Sequence, residues 1–95
     1  MAHYVILSRI SPDALQEPSD FRKLAERIKG EIREQCPGLT WKDSYATYGR
    51  FDVIDLVETE DPKELQRAVM LLRAHGHEST ETLAATPWKE FIGAL

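Results

Sequence analysis

LTWKDSYATYGRFDVIDLVE, residues 39–58, reads as two strands folded back on one another at Gly49-Arg50. The first half, 39–48, alternates without a strongly apolar side. Leu39, Trp41, Asp43, Tyr45 and Thr47 fall on one face, and Thr40, Lys42, Ser44, Ala46 and Tyr48 on the other. Such a strand belongs at a sheet edge or against a partner. The second half, 51–58, carries Val53, Ile54, Leu56 and Val57 on both faces. That pattern marks a central strand covered twice.

Working outward from the hairpin, HYVILSRI at 3–10 is a further strand, and its uninterrupted Val5-Ile6-Leu7 again implies burial on both faces. Ser11-Pro12-Asp13 breaks it, and a loop continues to Pro18. Ser19 is the expected cap of the first helix, with Asp20 in its first turn. Phe21, Leu24, Ala25, Ile28 and Ile32 make one stripe at helical spacing, with charged residues around the rest. Cys36-Pro37-Gly38 stops that helix. After the hairpin, Asp61-Pro62 opens a second helix with buried stripe Leu65, Ala68, Val69 and Leu72, ended by Gly76. HESTETLAA at 77–85 is a weaker fourth strand, and Pro87 starts a closing helix that aligns Trp88, Phe91, Ile92 and Leu95.

The order is β-α-β-β-α-β plus a short C-terminal helix, the α+β ferredoxin-like arrangement. Its usual spatial strand order, 4-1-3-2, puts the first and third strands in the centre. Those are the strands that read as apolar on both faces. Two helices cover only one face of such a sheet, so the other face needs a partner, most simply a second copy of the chain. A homodimer with facing sheets is the expectation.

The 95 residues fit one domain, 1–95, with no repeat or linker. Hydrophobic residues at 42% and charged residues at 29% describe a globular chain, and a core of this size is marginal without association. A net charge of −4, with bases and acids interleaved, argues against nucleic acid as a partner. Cys36 is the only cysteine, which excludes an internal disulfide and suits a reducing compartment. The N-terminal segment lacks the features of a signal peptide, and its apolar run is too short for a membrane span. A cytoplasmic location is expected, with no membrane partner.

Tyr45-Ala46-Thr47-Tyr48-Gly49-Arg50-Phe51-Asp52 resembles the motif of the GYD-domain family, small bacterial and archaeal proteins related to the dimeric α/β-barrel superfamily. Tyr4–Arg9 resembles the family's opening strand, Thr80–Leu83 its last strand, and Pro87 through Leu95 its closing helix. Phe51 departs from the pattern, standing where the family usually has Tyr. The resemblance implies the fold and a homodimer, but no established reaction, so no catalytic residue is carried over.

Within the chain itself, Asp55 is the most informative acid, because it interrupts the apolar third strand between Val53 and Val57. If Ile54 and Leu56 meet the helices, Asp55 points into the cleft between paired sheets, where a carboxylate with a raised pKa could act as acid or base. The competing reading is a satisfied structural carboxylate, and it is the stronger one. His3 and Arg9 share a face with Val5 and Leu7, and with Tyr45 they complete a candidate ligand cleft. Gly49-Arg50 and Asp52 read as turn geometry. His75-Gly76-His77 lacks the further ligands and the spacing of a metal site. Cys36 reads as inert, and Ser8, Ser44 and Ser79 lack a nucleophile elbow. No cofactor is implied.

Three functions stay open. One is a homodimer binding a small organic molecule between its sheets. Another is a cofactor-independent enzyme, monooxygenase- or isomerase-like, such as relatives in the dimeric α/β-barrel superfamily. The third is a purely structural, oligomer-forming protein, in which Val53, Val57 and Leu7 would pack an interface solid.

Overall fold

The computed structural model describes residues 1–13 and 17–95, so residues 14–16 of the expected loop lie outside the described part. The elements follow one another as β1 (Ala2–Ile10), α1 (Pro18–Gln35), β2 (Thr40–Ala46), β3 (Val53–Thr59), α2 (Pro62–Ala74), β4 (His77–Ala85) and α3 (Trp88–Gly93). The four strands form one antiparallel sheet in the order β2-β3-β1-β4, the ferredoxin-like order with the two most apolar strands inside.

Pairing registers define the two faces. Tyr4 lies opposite Val57, Ile6 opposite Asp55 and Ser8 opposite Val53. This set is buried under the helices: Ile6 and Val57 join Ile28, Ile32, Leu65, Ala68 and Leu72 in one core. The alternate set pairs His3 with Glu58, Val5 with Leu56 and Leu7 with Ile54. Its apolar members are only half-buried, and among the described residues no helix covers them.

Several local expectations hold with a shift, and three change. Asp61 caps α2 by accepting the Lys63 N–H at 2.9 Å, with Pro62 at the first helical position. The N-cap of α1 is Glu17 rather than Ser19, because Pro18 already occupies the first helical position. Asp20 then reaches back to accept the Glu17 N–H at 3.0 Å. The stripe of α1 is only partly buried: Ile28 and Ile32 are covered and Leu24 packs against the core, whereas Phe21 is 51% exposed and Ala25 faces solvent. Finally, β2 slips register between Trp41 and Asp43, which lie opposite the consecutive residues Val57 and Leu56. This bulge reverses the alternation, so Trp41 packs toward the core while Asp43 and Tyr45 sit on the open face.

At the C-terminus, α3 buries none of its residues. Trp88 is 72% exposed and Leu95 87% exposed, and the Trp88 and Phe91 rings touch chiefly each other, with centroids 5.7 Å apart.

Candidate functional site

The bulge in β2 decides the surroundings of Asp55. Downstream of it Ser44 lies directly opposite Asp55, and the Ser44 hydroxyl donates to Asp55 Oδ1 at 2.6 Å. The Trp41 indole N–H donates to Ser44 Oγ at 2.8 Å. Asp55 itself is only 3% exposed. Burial pushes its carboxyl above the usual range, and the hydrogen bonds from Ser44 and Trp41 pull part of the way back. The arrangement is a satisfied internal network on the helix side. Asp55 therefore points away from the open face, and Ile54 and Leu56 take the position considered for it. For the same reason Val53 and Val57 cannot join Leu7 in one interface: the valines face the helices and Leu7 the opposite side.

His3, Arg9 and Tyr45 all fall on the open face, but at its rim and not in one cluster. His3 lies 3.4 Å from Glu58 through Nδ1 and Oε1, and Lys42 Nζ approaches the other Glu58 oxygen at 3.3 Å. Tyr45 donates to Asp43 Oδ2 at 2.9 Å, and that bond to a carboxylate raises the phenol pKa. Arg9 turns toward the hairpin and donates from Nε to the Arg50 carbonyl at 2.6 Å. Between these polar groups runs the apolar band of Val5, Leu7, Ile54 and Leu56, continued on β4 by Leu83, which lies opposite Val5. Glu58 and Lys42 are the partners that alternation alone misses. Glu58 belongs to the same side as Leu56 and Ile54, two and four residues before it, but spacing alone does not tell which side that is.

The remaining residues separate into structural roles. Gly49 has φ +100°, the conformation that the hairpin end requires of a glycine. Asp52 does more than cap a local turn. Its carboxylate accepts the Ile10 N–H at 2.8 Å, and its own N–H donates to the Ser8 carbonyl at 2.8 Å, which ties the hairpin end to β1. His75 contacts Glu31 of α1, whereas His77 is buried at the start of β4, so the two rings diverge. Among the described residues no group of three His, Cys, Asp or Glu is placed to hold a metal ion. Cys36 is 1% exposed, and burial, with Glu64 nearby, pushes its thiol up and away from reactivity. No helix among the described residues is long and apolar enough to cross a membrane.

This geometry can be set beside known proteins. The family model described as the GYD domain matches residues 4–95. This chain belongs to the GYD-domain family. A Thermus thermophilus protein named glutamine synthetase and cystathionine beta-lyase binding protein is 31% identical over 98 aligned positions, covering 100% of this chain and 99% of that one. Among solved structures, TTHA0845 from Thermus thermophilus superposes with a TM-score of 0.59 at 27% identity, over 92% of this chain and 95% of the other. Protein Atu4242 from Agrobacterium tumefaciens superposes with a TM-score of 0.57 at 14% identity, over 92% and 93% of the two chains. At that identity the likeness speaks for the fold alone, and the fold is that of dimeric α/β-barrel proteins.

Proposed function

We propose that this GYD-domain chain is a homodimeric binding protein that docks onto enzymes of amino-acid metabolism. The observation that carries the docking is the full-length similarity to a protein named for binding glutamine synthetase and cystathionine beta-lyase. The observation that supports the dimer is the open sheet face. Val5, Leu7, Ile54 and Leu56 form a half-exposed apolar band there. Its rim carries both charge signs, Lys42 and His3 beside Glu58 at one end and Arg9 at the other, so the face can complement a second copy of itself. In the dimer His3, Arg9 and Tyr45 would line the margin of the cleft, the place a small ligand between the sheets would meet. A binding role is favoured over catalysis by Asp55, whose carboxylate is turned inward and already engaged by Ser44 and Trp41.

Light scattering on the purified chain, followed by titration with purified glutamine synthetase and cystathionine beta-lyase, tests both parts. A dimer with saturable binding of either enzyme in the micromolar range supports the reading, about −8 kcal/mol at 1 μM. A monomer would remove the facing-sheet arrangement. A dimer that binds neither enzyme would remove the docking role while keeping the assembly.

A further inference from the structure

The helix side of the sheet has a cleft of about 510 Å³ where the end of α2, the start of β4 and the segment after β1 converge. Ser11, Met70, Arg73, Ala74, His77 and Glu78 supply its lining. It lies on the opposite side of the sheet from the open apolar band, so a dimer through that band leaves it accessible.

We propose that this cleft binds a small zwitterion, a free α-amino acid with an uncharged side chain. Its charged groups are the first reason. Arg73 comes from the last turn of α2 and Glu78 from the second position of β4, and both are exposed. Neither forms an ion pair or hydrogen bond with the other or with any described residue. A cation and an anion on one cleft that form no ion pair with each other suit a ligand that carries both charges. Arg73 offers the fork geometry that receives a carboxylate. Glu78 and the C-terminal end of α2, with its partial negative charge, receive an ammonium group.

His77 is the second reason. It is 6% exposed, lines the cleft, and its Nδ1 is buried with no hydrogen-bond partner among the described residues. Buried polar atoms in native proteins are normally satisfied, and this one, set inward, is left for a partner that reaches it when the ring turns. Burial also lowers the imidazole pKa, so the ring is neutral near pH 7 and offers one donor and one acceptor. A half-turn of the ring about Cβ–Cγ exchanges Nδ1 with Cδ2 and carries that nitrogen to the other edge of the ring, where a bound ligand would partner it. Met70 and Ala74 provide the apolar wall, and a thioether adapts to side chains of different shape.

The test uses the full chain labelled with ¹⁵N. L-Methionine, L-leucine and L-glutamine are titrated, alongside 4-(methylthio)butanoic acid, which lacks the ammonium, and 3-(methylthio)propylamine, which lacks the carboxylate. The expected result is saturable amide shifts at Ser11, Ala74, Gly76 and His77 with at least one amino acid below about 10 mM, and binding weaker by about tenfold or more for each truncated compound. Arg73→Gln is expected to abolish the response to the amino acid while leaving the weak response to the amine. No saturable shift with any of the three amino acids, shifts confined to the open sheet face, or equal binding of a truncated compound would overturn the proposal. Both charged side chains are exposed, so Arg73→Gln and Glu78→Gln should fold. A circular dichroism melt superimposable on that of the parent confirms it before the titration is read.

Discussion

A single carboxylate separates the two ways this protein could work. Asp55 interrupts a strand of Val, Ile and Leu, the usual mark of a functional acid, yet it is bonded to Ser44 and reached by Trp41 under the helices. Because burial raises its pKa, the native state holds that proton more tightly than the unfolded chain does. Between the unfolded value, about 3.9, and the higher folded value, the native state binds more protons, so stability falls as pH rises through that window. Asp55→Asn keeps the acceptor for Ser44 and removes the charge. Its stability relative to the parent should climb as pH rises from about 4 and level off above the folded value, read from urea midpoints across pH. A flat difference would mean that the carboxyl is not shifted. Ser44→Ala leaves a buried carboxylate oxygen without its donor and should cost about 1–2 kcal/mol at neutral pH in the same assay. Asp55 was legible as unusual in the sequence. Its partner was not, because the residue opposite it depends on a bulge that strict alternation passes over.

Among the elements, the β2–β3 hairpin is held by its contacts to β1 as much as by its own turn. Asp52 accepts from Ile10 and donates to Ser8, while Arg9 donates to Arg50, so three contacts stitch the hairpin end across to the neighbouring strand. Asp52→Ala should therefore destabilise by about 1 kcal/mol or somewhat more, and should raise amide exchange at Ile10 while leaving α2 unchanged. Uniform exchange rates would show the bond to be dispensable. Gly38, after α1, is a quieter case. A Cβ built there would stand 2.4 Å from Glu64 Oε2, and the Gly38 N–H donates to the other oxygen of the same carboxylate at 3.1 Å. Gly38→Ala should push Glu64 aside and lose that bond, at about 1 kcal/mol, with Gly38→Ala/Glu64→Ala costing less than the sum of the two changes. Helical spacing predicts five stripe residues for α1; Ile28 and Ile32 are buried and Leu24 packs part-way against the core, but Phe21 and Ala25 are exposed. Spacing defines a stripe; it does not say how far the neighbouring layer extends beneath it.

At the scale of the molecule, the sheet has one face covered by helices and one left bare. The bare face presents Val5, Leu7, Ile54 and Leu56, and separately the C-terminal segment leaves Trp88, Phe91, Ile92 and Leu95 exposed. If copies pair through this band as proposed, placing a charge in its middle should separate them without unfolding them, since Leu56 is only half-buried in the single chain. Leu56→Lys should give a monomer by light scattering with an unchanged far-ultraviolet spectrum, while Glu26→Lys on the exposed side of α1 should leave the dimer intact. A dimer that survives Leu56→Lys would place the contact elsewhere. The cleft at the end of α2 is independent of that outcome, because it opens on the other side of the sheet.

By itself the sequence determined the element order, the central place of the first and third strands, the caps and breaks at Asp61-Pro62 and Gly49, and the family. These follow from local rules: periodicity, proline and glycine chemistry, and a motif at the turn. Only the tertiary structure decided which alternating set lies under the helices. A period of two divides a strand into faces without orienting them, and one extra residue in β2 is enough to exchange them. In β2 that slip keeps Trp41 inward, puts Ser44 opposite the inward Asp55 and turns Tyr45 outward, while the β1–β3 register sets Asp55 inward and His3 and Arg9 outward. The cleft around His77 was equally out of reach, since Ser11 reaches the segment 70–78 only through the tertiary structure, and which side chains of that segment face the cleft is set by packing.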